Sequence, residues 1–563
     1  MEKIRIHCKN TNNYYAVYPG TKLVDFLNEI NIKSEYPILA AFVDNQLKEL
    51  GFPLYMAHNV EFIDISHADG RRTYTRSLNF VLQKAVLDLY KKYQLILDYS
   101  LPIGLYGKLV ELNNNTEKIF PLTVSDIEKI KERMSQIIKA NFPIIKTKMN
   151  NDEAVALFNS HGQLDKAGLF KNLGNFFIPV YFLDGYGDTF YGPQLYSTGA
   201  IDKFDLIKYN DGFCLQSPSA QPPFNIAAAK YQEKLSDVFK ENSDWCNIIG
   251  VKDIGTVNKA ITNGYASKVI QIAEALHERK YAAIADKIHE RKGRVKLVLI
   301  AGPSSSGKTT TSKRIALQLK VLGLNPVVIA MDNYFLNRDD TPKDANGNYD
   351  FECLEAMDLS FLNKQLNQLF NGEEVELPKF NFTLGKRYFD GTKIRLNPND
   401  VLIMEGIHAL NPNLTLEIDN EIKYKIYVSA LTSLSIDENN YISTTDGRLL
   451  RRMVRDNNFR GTSAEQTILR WQSVMDGEYK NIFPYQENAD IMFNSSLIYE
   501  LPMLKHYADP LLRRIPPLST AYAESLRLLK FLSYIIELNP KEQAGIPPTS
   551  VMREFIGGST LEY

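Results

Sequence analysis

Apolar and polar residues alternate at Ile4-Arg5-Ile6-His7, the period of a half-buried strand. Over residues 21–30 the apolar positions Leu23, Phe26, Leu27 and Ile30 fall instead at helical spacing. Short strands are expected over 39–43 and 60–65, so residues 1–65 read as a small α+β unit. The triplet Ala68-Asp69-Gly70 has turn composition and opens a second region. Helices are expected there over 78–90 and 124–140, the latter with Ser125 as N-cap, and Gly- and aromatic-rich strands over 175–215. Pro218-Ser219-Ala220-Gln221-Pro222-Pro223 is the strongest linker signal. Helices over 226–240 and 264–291 follow. From Arg294 apolar strands alternate with amphipathic helices, the pattern of a parallel α/β sheet. After Pro516 one helix is expected over 520–538, then a polar end. The fold class is therefore multidomain α/β and α+β.

Composition narrows the functions open to these elements. Lys+Arg total 65 and Asp+Glu 66, which argues against a bulk polyanion binder. No apolar run approaches the ~18 residues of a spanning helix, and Met1-Glu2-Lys3-Ile4-Arg5 lacks a secretory core. The four cysteines form no CxxC pair, and the eight histidines form no metal spacing. A cytoplasmic protein without membrane contact is the expectation.

The clearest chemistry follows the apolar run 295–301. It leads into Gly302-Pro303-Ser304-Ser305-Ser306-Gly307-Lys308-Thr309, a complete G-x-x-x-x-G-K-[ST] motif. The helix after it carries Ile315, Leu319 and Leu322 on one face, with Gly323 as its stop. Glycines let backbone N–H groups turn inward around phosphates, and the helix N-terminus adds its positive end. Lys308 would supply a cation to the β- and γ-phosphates of ATP, and Thr309 a hydroxyl to Mg²⁺.

Two further apolar runs end in carboxylates, at Asp332-Asn333 and at Glu405-Gly406. Ligands of open α/β sheets sit at such strand ends. One acid can hold Mg²⁺, and another can take a proton from the acceptor hydroxyl. Arg448, Arg451, Arg452, Arg455 and Arg460 follow, with 448, 452 and 455 on one helical face. A mobile arginine helix that closes over the transferred phosphate is the expectation. His408, beside Glu405, reads as a packing histidine.

In order, these pieces resemble the uridine kinase branch of the P-loop nucleoside kinases over about 294–510. The resemblance is carried by the loop 302–309, Met331-Asp332-Asn333-Tyr334-Phe335, Asn348-Tyr349-Asp350-Phe351, Pro378-Lys379-Phe380-Asn381-Phe382, Glu405-Gly406-Ile407 and the run from Arg448 to Gly461. It implies a P-loop parallel sheet, with ATP held by residues 302–309, Thr310, Arg455 and Arg460. It implies Asp332 as base, Thr309, Glu405 and Asp332 at the metal, and Asp350 and Arg452 on the ribose. It also allows a homo-oligomer. The family's polar base readers are absent: their positions are Phe380, Gly385 and Thr462. A site without them should discriminate bases differently. The insertion-like stretch 431–445 has no reading.

Residues 1–65 resemble the ubiquitin-like β-grasp TGS module of threonyl-tRNA synthetases. Residues 66–220 resemble the editing-associated domain that follows it there. The match is carried by Gly70-Arg71-Arg72-Thr73-Tyr74-Thr75-Arg76-Ser77 and Asp188-Thr189-Phe190-Tyr191-Gly192-Pro193-Gln194. The paired H-x-x-x-H and C-x-x-x-H residues of that domain read here as Arg76 and Phe80, and as Phe190 and Gln194. Without imidazole or thiolate, no editing chemistry is expected. The expected division is 1–65, 66–220, a helical linker 221–293, a kinase 294–515, and a C-terminal helix and tail 516–563. Aromatic residues over 176–191 read as core in preference to an RNA-stacking platform. Two rival functions remain open: a kinase of another small acceptor, as in phosphoribulokinase-like enzymes, and an ATP-switched regulator bound to RNA.

Overall fold

The computed structural model describes residues 2–113, 116–228, 231–291, 293–343, 347, 349–381, 384–432 and 434–561. Asn348 and Phe382 of the quoted motifs lie outside them. The C-terminal half is built on five parallel strands in the order Asn325–Ala330, Asp400–Glu405, Leu297–Ala301, Lys423–Ser429, Ile491–Asn494. The central strand is buried at every position, as its unbroken apolar run requires of a strand covered on both faces. On one face, Ile315 and Leu319 of the helix Lys308–Val321 pack with Val298 and Ile300. On the other, Leu362, Leu366 and Leu369 of the helix Leu359–Phe370 pack with Leu297 and Leu299.

Residues 221–293 are a packed layer more than a linker. Tyr281, Ile284 and Ile288 of the helix Ala266–Glu290 share the core of the P-loop helix. The expected helix over 226–240 starts later, at Glu233–Ile249. The tail departs further from its polar reading. The helix Tyr522–Leu532 is followed by two short ones, Pro540–Ala544 and Arg553–Ile556, and Val551, Met552 and Phe555 have no exposed surface. Polar spacing in the sequence hid these three apolar side chains.

In the N-terminal half, Ile4–Cys8 lies between Asn13–Val17 and, in parallel, His58–Ile63. Ala40–Val43 and Gln46–Lys48 complete that sheet, with the helix Leu23–Glu29 against it. Ala68-Asp69-Gly70 is the first turn of a long helix, Ala68–Leu89, and not a separate turn; His67 Nδ1 accepts from the Asp69 N–H and caps it. The helix Val124–Ala140 is capped by Thr123, two residues before the expected Ser125. Thr123 and Asp126 form a reciprocal capping box.

The uninterpreted stretch before the arginines joins the two halves. Its strands Ser435–Asp437 and Asn440–Tyr441 reach into the N-terminal half. The Leu97 N–H donates to Glu438 O at 2.8 Å, and Asn439 donates to Leu95 O at 2.9 Å. Lys166, wholly buried, lies 2.6 Å from Asp188 and 3.5 Å from Asp437. Burial alone would lower the lysine, but these two carboxylates hold its pKa well above the usual range.

Candidate active site

Gly302 lies where the central strand ends. A Cβ there would meet Val428 O at 1.9 Å, so only glycine fits the approach of the neighbouring strand. Ser305 and Gly307 both take positive φ (59° and 81°), which turns the loop's N–H groups inward into an anion nest. Lys308 opens the helix, and its ammonium donates back to Pro303 O at 3.1 Å. The parallel register sets Glu405 beside Ile300 and Ala330, so its carboxylate reaches the helix start. Thr309 Oγ1 donates to Glu405 Oε1 at 3.1 Å.

Asp332 begins the turn after Asn325–Ala330. It is open to the cleft, yet the cleft walls still desolvate it: this raises its carboxyl pKa, with Lys308 and Arg460 opposing. Burial pushes Glu405 to about 7; Lys308 offsets part of this and the nearby Asp332 adds to it. The structure therefore brings Lys308, Thr309, Asp332 and Glu405 into one cleft. Carboxylate and hydroxyl oxygens are hard donors of the kind Mg²⁺ takes, and the crowding that raises Glu405 is what a bound cation relieves. The donor set fits a magnesium ion.

The arginine helix is not a free lid. The helix Thr444–Phe459 buries Arg448 and Arg451 completely, Arg448 paired with Glu478 and Arg451 with Glu500 at 2.6 Å. A guanidinium buried in this way holds its helix in place. Its neighbours face the cleft. Arg452 donates to Ser304 Oγ at 2.7 Å and also pairs with Asp456. Arg455 and Arg460 both lie 3.5 Å from Asp456. Asp350, expected on the ribose with Arg452, lies 3.8 Å from Lys480.

Three cleft carboxylates escaped the sequence reading. Glu478 accepts from the Ser304 N–H at 2.7 Å. Glu554 accepts from Thr310 Oγ1 at 2.6 Å and from the Thr310 N–H at 3.2 Å, at the end of the helix that offers N–H groups to anions. Glu352 is raised to about 7, by burial first and then by Glu478. Each lies scores of residues from the loop or outside any motif, so no spacing signal announces it. His408 is buried, and burial lowers it to about 4, leaving it neutral.

Where the base readers are absent, the site offers one aromatic pair, an arginine and a turn. Phe380 meets Phe335 edge-on at 6.0 Å. At Gly385, which takes φ +64°, a Cβ would sit 2.8 Å from the Arg338 side chain, so the arginine covers that position. Thr462 bonds its own turn through the Asp456 carbonyl at 3.1 Å.

In the N-terminal half, Arg76, Phe80, Phe190 and Gln194 do come together. Phe80 and Phe190 stack edge-to-face at 5.0 Å, Gln194 accepts from Ser77 Oγ at 2.6 Å, and Arg76 donates to Pro193 O at 2.6 Å. Among the described residues no group of three or more His, Cys, Asp or Glu could hold a metal ion.

A nucleotide loop at the end of a parallel strand, a lysine in it and carboxylates at two neighbouring strand ends define a P-loop phosphotransferase acting on an alcohol acceptor. The model of the phosphoribulokinase / uridine kinase family matches residues 297–498. The uridine kinase of Staphylococcus haemolyticus (strain JCSC1435) is 32% identical over 197 residues, 35% of this chain and 86% of that protein. That of Lactobacillus helveticus (strain DPC 4571) is 29% identical, over 35% and 84% respectively. The chain belongs to the phosphoribulokinase / uridine kinase family. It is also similar to the threonine--tRNA ligase of Thermotoga neapolitana, 28% identical over 226 residues, which are 39% of this chain and span a third (33%) of that protein. Among the described residues no helix is long and apolar enough to cross a membrane.

Proposed function

We propose that this chain is an ATP- and Mg²⁺-dependent nucleoside kinase that phosphorylates a ribonucleoside 5′-hydroxyl. The observation that carries the reading is the convergence of Lys308, Thr309, Asp332 and Glu405 at three adjacent strand ends. The loop 302–310 would hold the phosphates through its inward N–H groups, those of Ser304 and Thr310 once Glu478 and Glu554 give way, and Lys308 would turn from Pro303 O to the transferred group. Thr309 and Glu405, with Asp332, would hold a magnesium ion, whose charge would offset that on the phosphoryl oxygens. Asp332 accepts the proton of the attacking hydroxyl, and its raised pKa suits it to that task. Arg455 and Arg460 face the transferred phosphate, and Asp350 and Arg452 the ribose. The apolar wall of Phe380 and Phe335 contributes stacking in place of base-edge hydrogen bonds, so we expect a broad base preference.

The similarity to a threonine--tRNA ligase supports the reading of residues 1–65 and 66–220 as TGS-like and editing-like domains without editing chemistry. The absence of imidazole and thiolate at Arg76, Phe80, Phe190 and Gln194 supports it too. The overall charge of −1 favours no RNA partner. The cytoplasmic placement and a homo-oligomer stay within this proposal.

Chromatography of products from a nucleoside panel with Mg-ATP tests the kinase reading. Nucleoside 5′-monophosphates are expected from the wild type and not from Asp332→Asn. Phosphorylation of sugar phosphates alone, or ATP hydrolysis with no phosphorylated acceptor, would overturn it.

A further inference from the structure

A cavity of about 500 Å³ lies between the two halves, walled on one side by the helix Ala68–Leu89. The opposite walls come from the helices Ala464–Asn481 and Tyr522–Leu532 and from Tyr441 and Asp446 of the kinase half. That volume suits a small organic ligand.

Its lining carries more cations than carboxylates, even with Asp69 pairing Arg72 from behind the wall at 2.7 Å. Six charged side chains line it: Arg71, Arg72, Arg76 and Arg527, against Asp446 and Glu524. Both carboxylates are already engaged. Arg72 pairs with Glu524 at 2.7 Å, and Arg527 grips Asp446 with two nitrogens, at 2.7 and 2.8 Å, and also reaches Glu524. Arg71 and Arg76 have only neutral partners: backbone carbonyls, of Ile65 and Ser66 for the first and Pro193 for the second, and the rings of Phe224 and Tyr191, at 5.8 and 5.3 Å. Neither has a carboxylate partner among the described residues. Arg76 is 8% exposed and its Nε has no partner; Asn79, 5% exposed, has a partnerless Oδ1. A buried cation and a buried amide left in this state are costly unless something binds them. The remaining walls include Tyr441 and Tyr479, flat faces suited to a planar ring, beside Tyr191 and Trp471, which already carry Arg76 and Arg448 on one face.

We infer that this cavity is a binding site for a small organic anion built on a planar ring, such as a nucleoside monophosphate or an aromatic carboxylate. Arg71 and Arg76 supply the countercharge, and the aromatic walls take the ring. The site is separate from the P-loop cleft and does not depend on the acceptor assigned there.

Calorimetric titration of the full chain tests this, with adenosine and uridine 5′-monophosphates and indole-3-acetate as ring anions. The parent nucleosides are the ring without the charge, and inorganic phosphate is the charge without the ring. At least one ring anion is expected to bind saturably, more tightly than either partial probe. Its affinity should fall at least about tenfold in Arg76→Gln and in Arg71→Gln, a loss of about 1.4 kcal/mol, and should be unchanged in Lys308→Ala. Preference for the phosphate or the carboxylate probe identifies the source of the anion. Arg71 is only half-buried, so its variant serves even if Arg76→Gln does not fold. Three results would overturn the inference: no binding of any ring anion, binding indifferent to both arginines, or binding lost in Lys308→Ala.

Discussion

The P-loop cleft and the filled site on the helix Ala68–Leu89 are two enzyme-like places with opposite treatment of polar groups. In the first, Asp332 and Glu405 stand at strand ends with their pKa values raised and the ammonium of Lys308 rests on a single carbonyl. These are groups held ready for a ligand. In the second, Phe80 packs on Phe190 and Gln194 bonds Ser77, so three of the four positions are taken up by the protein itself, and Arg76 faces the neighbouring cavity. Similarity in backbone is compatible with either outcome; the side chains that end in the cleft decide which one obtains.

The largest expected effect separates the two places outright. Asp332→Asn should lower phosphoryl transfer by about 10²–10⁴-fold while ATP binding persists, the range for losing a general base. Substitution of Phe190 by Leu should leave the rate constant unchanged. Equal losses from both, in steady-state assays, would erase the distinction.

Next comes the joint between the halves. Lys166→Met strands Asp188 and Asp437 in the interior without their cation. A loss of about 3–5 kcal/mol is expected in chemical denaturation, as for other broken buried pairs. The halves share apolar clusters, in which Tyr99 and Phe239 join Leu299 and Met404. The whole transition should therefore shift together; a kinase-half transition left in place would show that they fold independently.

A pH series sharpens the account of the cleft. Burial and Glu478 raise Glu352 to about 7, so the folded chain holds its proton where the unfolded chain has released it. The stability this gives is complete below the unfolded pKa and is lost as pH rises from there through about 7. Glu352→Gln should match the wild type near pH 4 and exceed it at pH 8 by about 3 kcal/mol. A constant difference across the series would remove the desolvated carboxyl from the description. The smallest positive effect is at the tail. Glu554→Gln takes a carboxylate from the N–H of Thr310 and should tighten ATP binding by about two- to fivefold, the scale of one charge at a helix N-terminus. At the other site, the rate at which serine leaves mischarged threonine tRNA should stay at the uncatalysed value when the chain is added.

Much of the first cleft was legible because its residues are local. The loop 302–309 and the acids Asp332 and Glu405 follow apolar runs whose strand character is readable, and parallel strands bring their ends to one edge. The arginines were legible as a helix but not as individuals. Arg448 and Arg452 share a face by spacing, yet one is sealed against Glu478 and the other touches Ser304. Helical periodicity gives direction around an axis and says nothing about which neighbour waits there.

The sequence by itself determined the loop chemistry, the parallel sheet, and the absence of imidazole and thiolate at Arg76, Phe80, Phe190 and Gln194, because each depends on residue type at short spacing. Only the tertiary structure decided that 435–441 bolts the halves together, that the tail lays Glu554 on the P-loop helix, and that Arg71 and Arg76 share a cavity with Trp471 and Tyr479. Those contacts join segments hundreds of residues apart. They arise from the burial of apolar surface between elements whose individual patterns carry no address for one another.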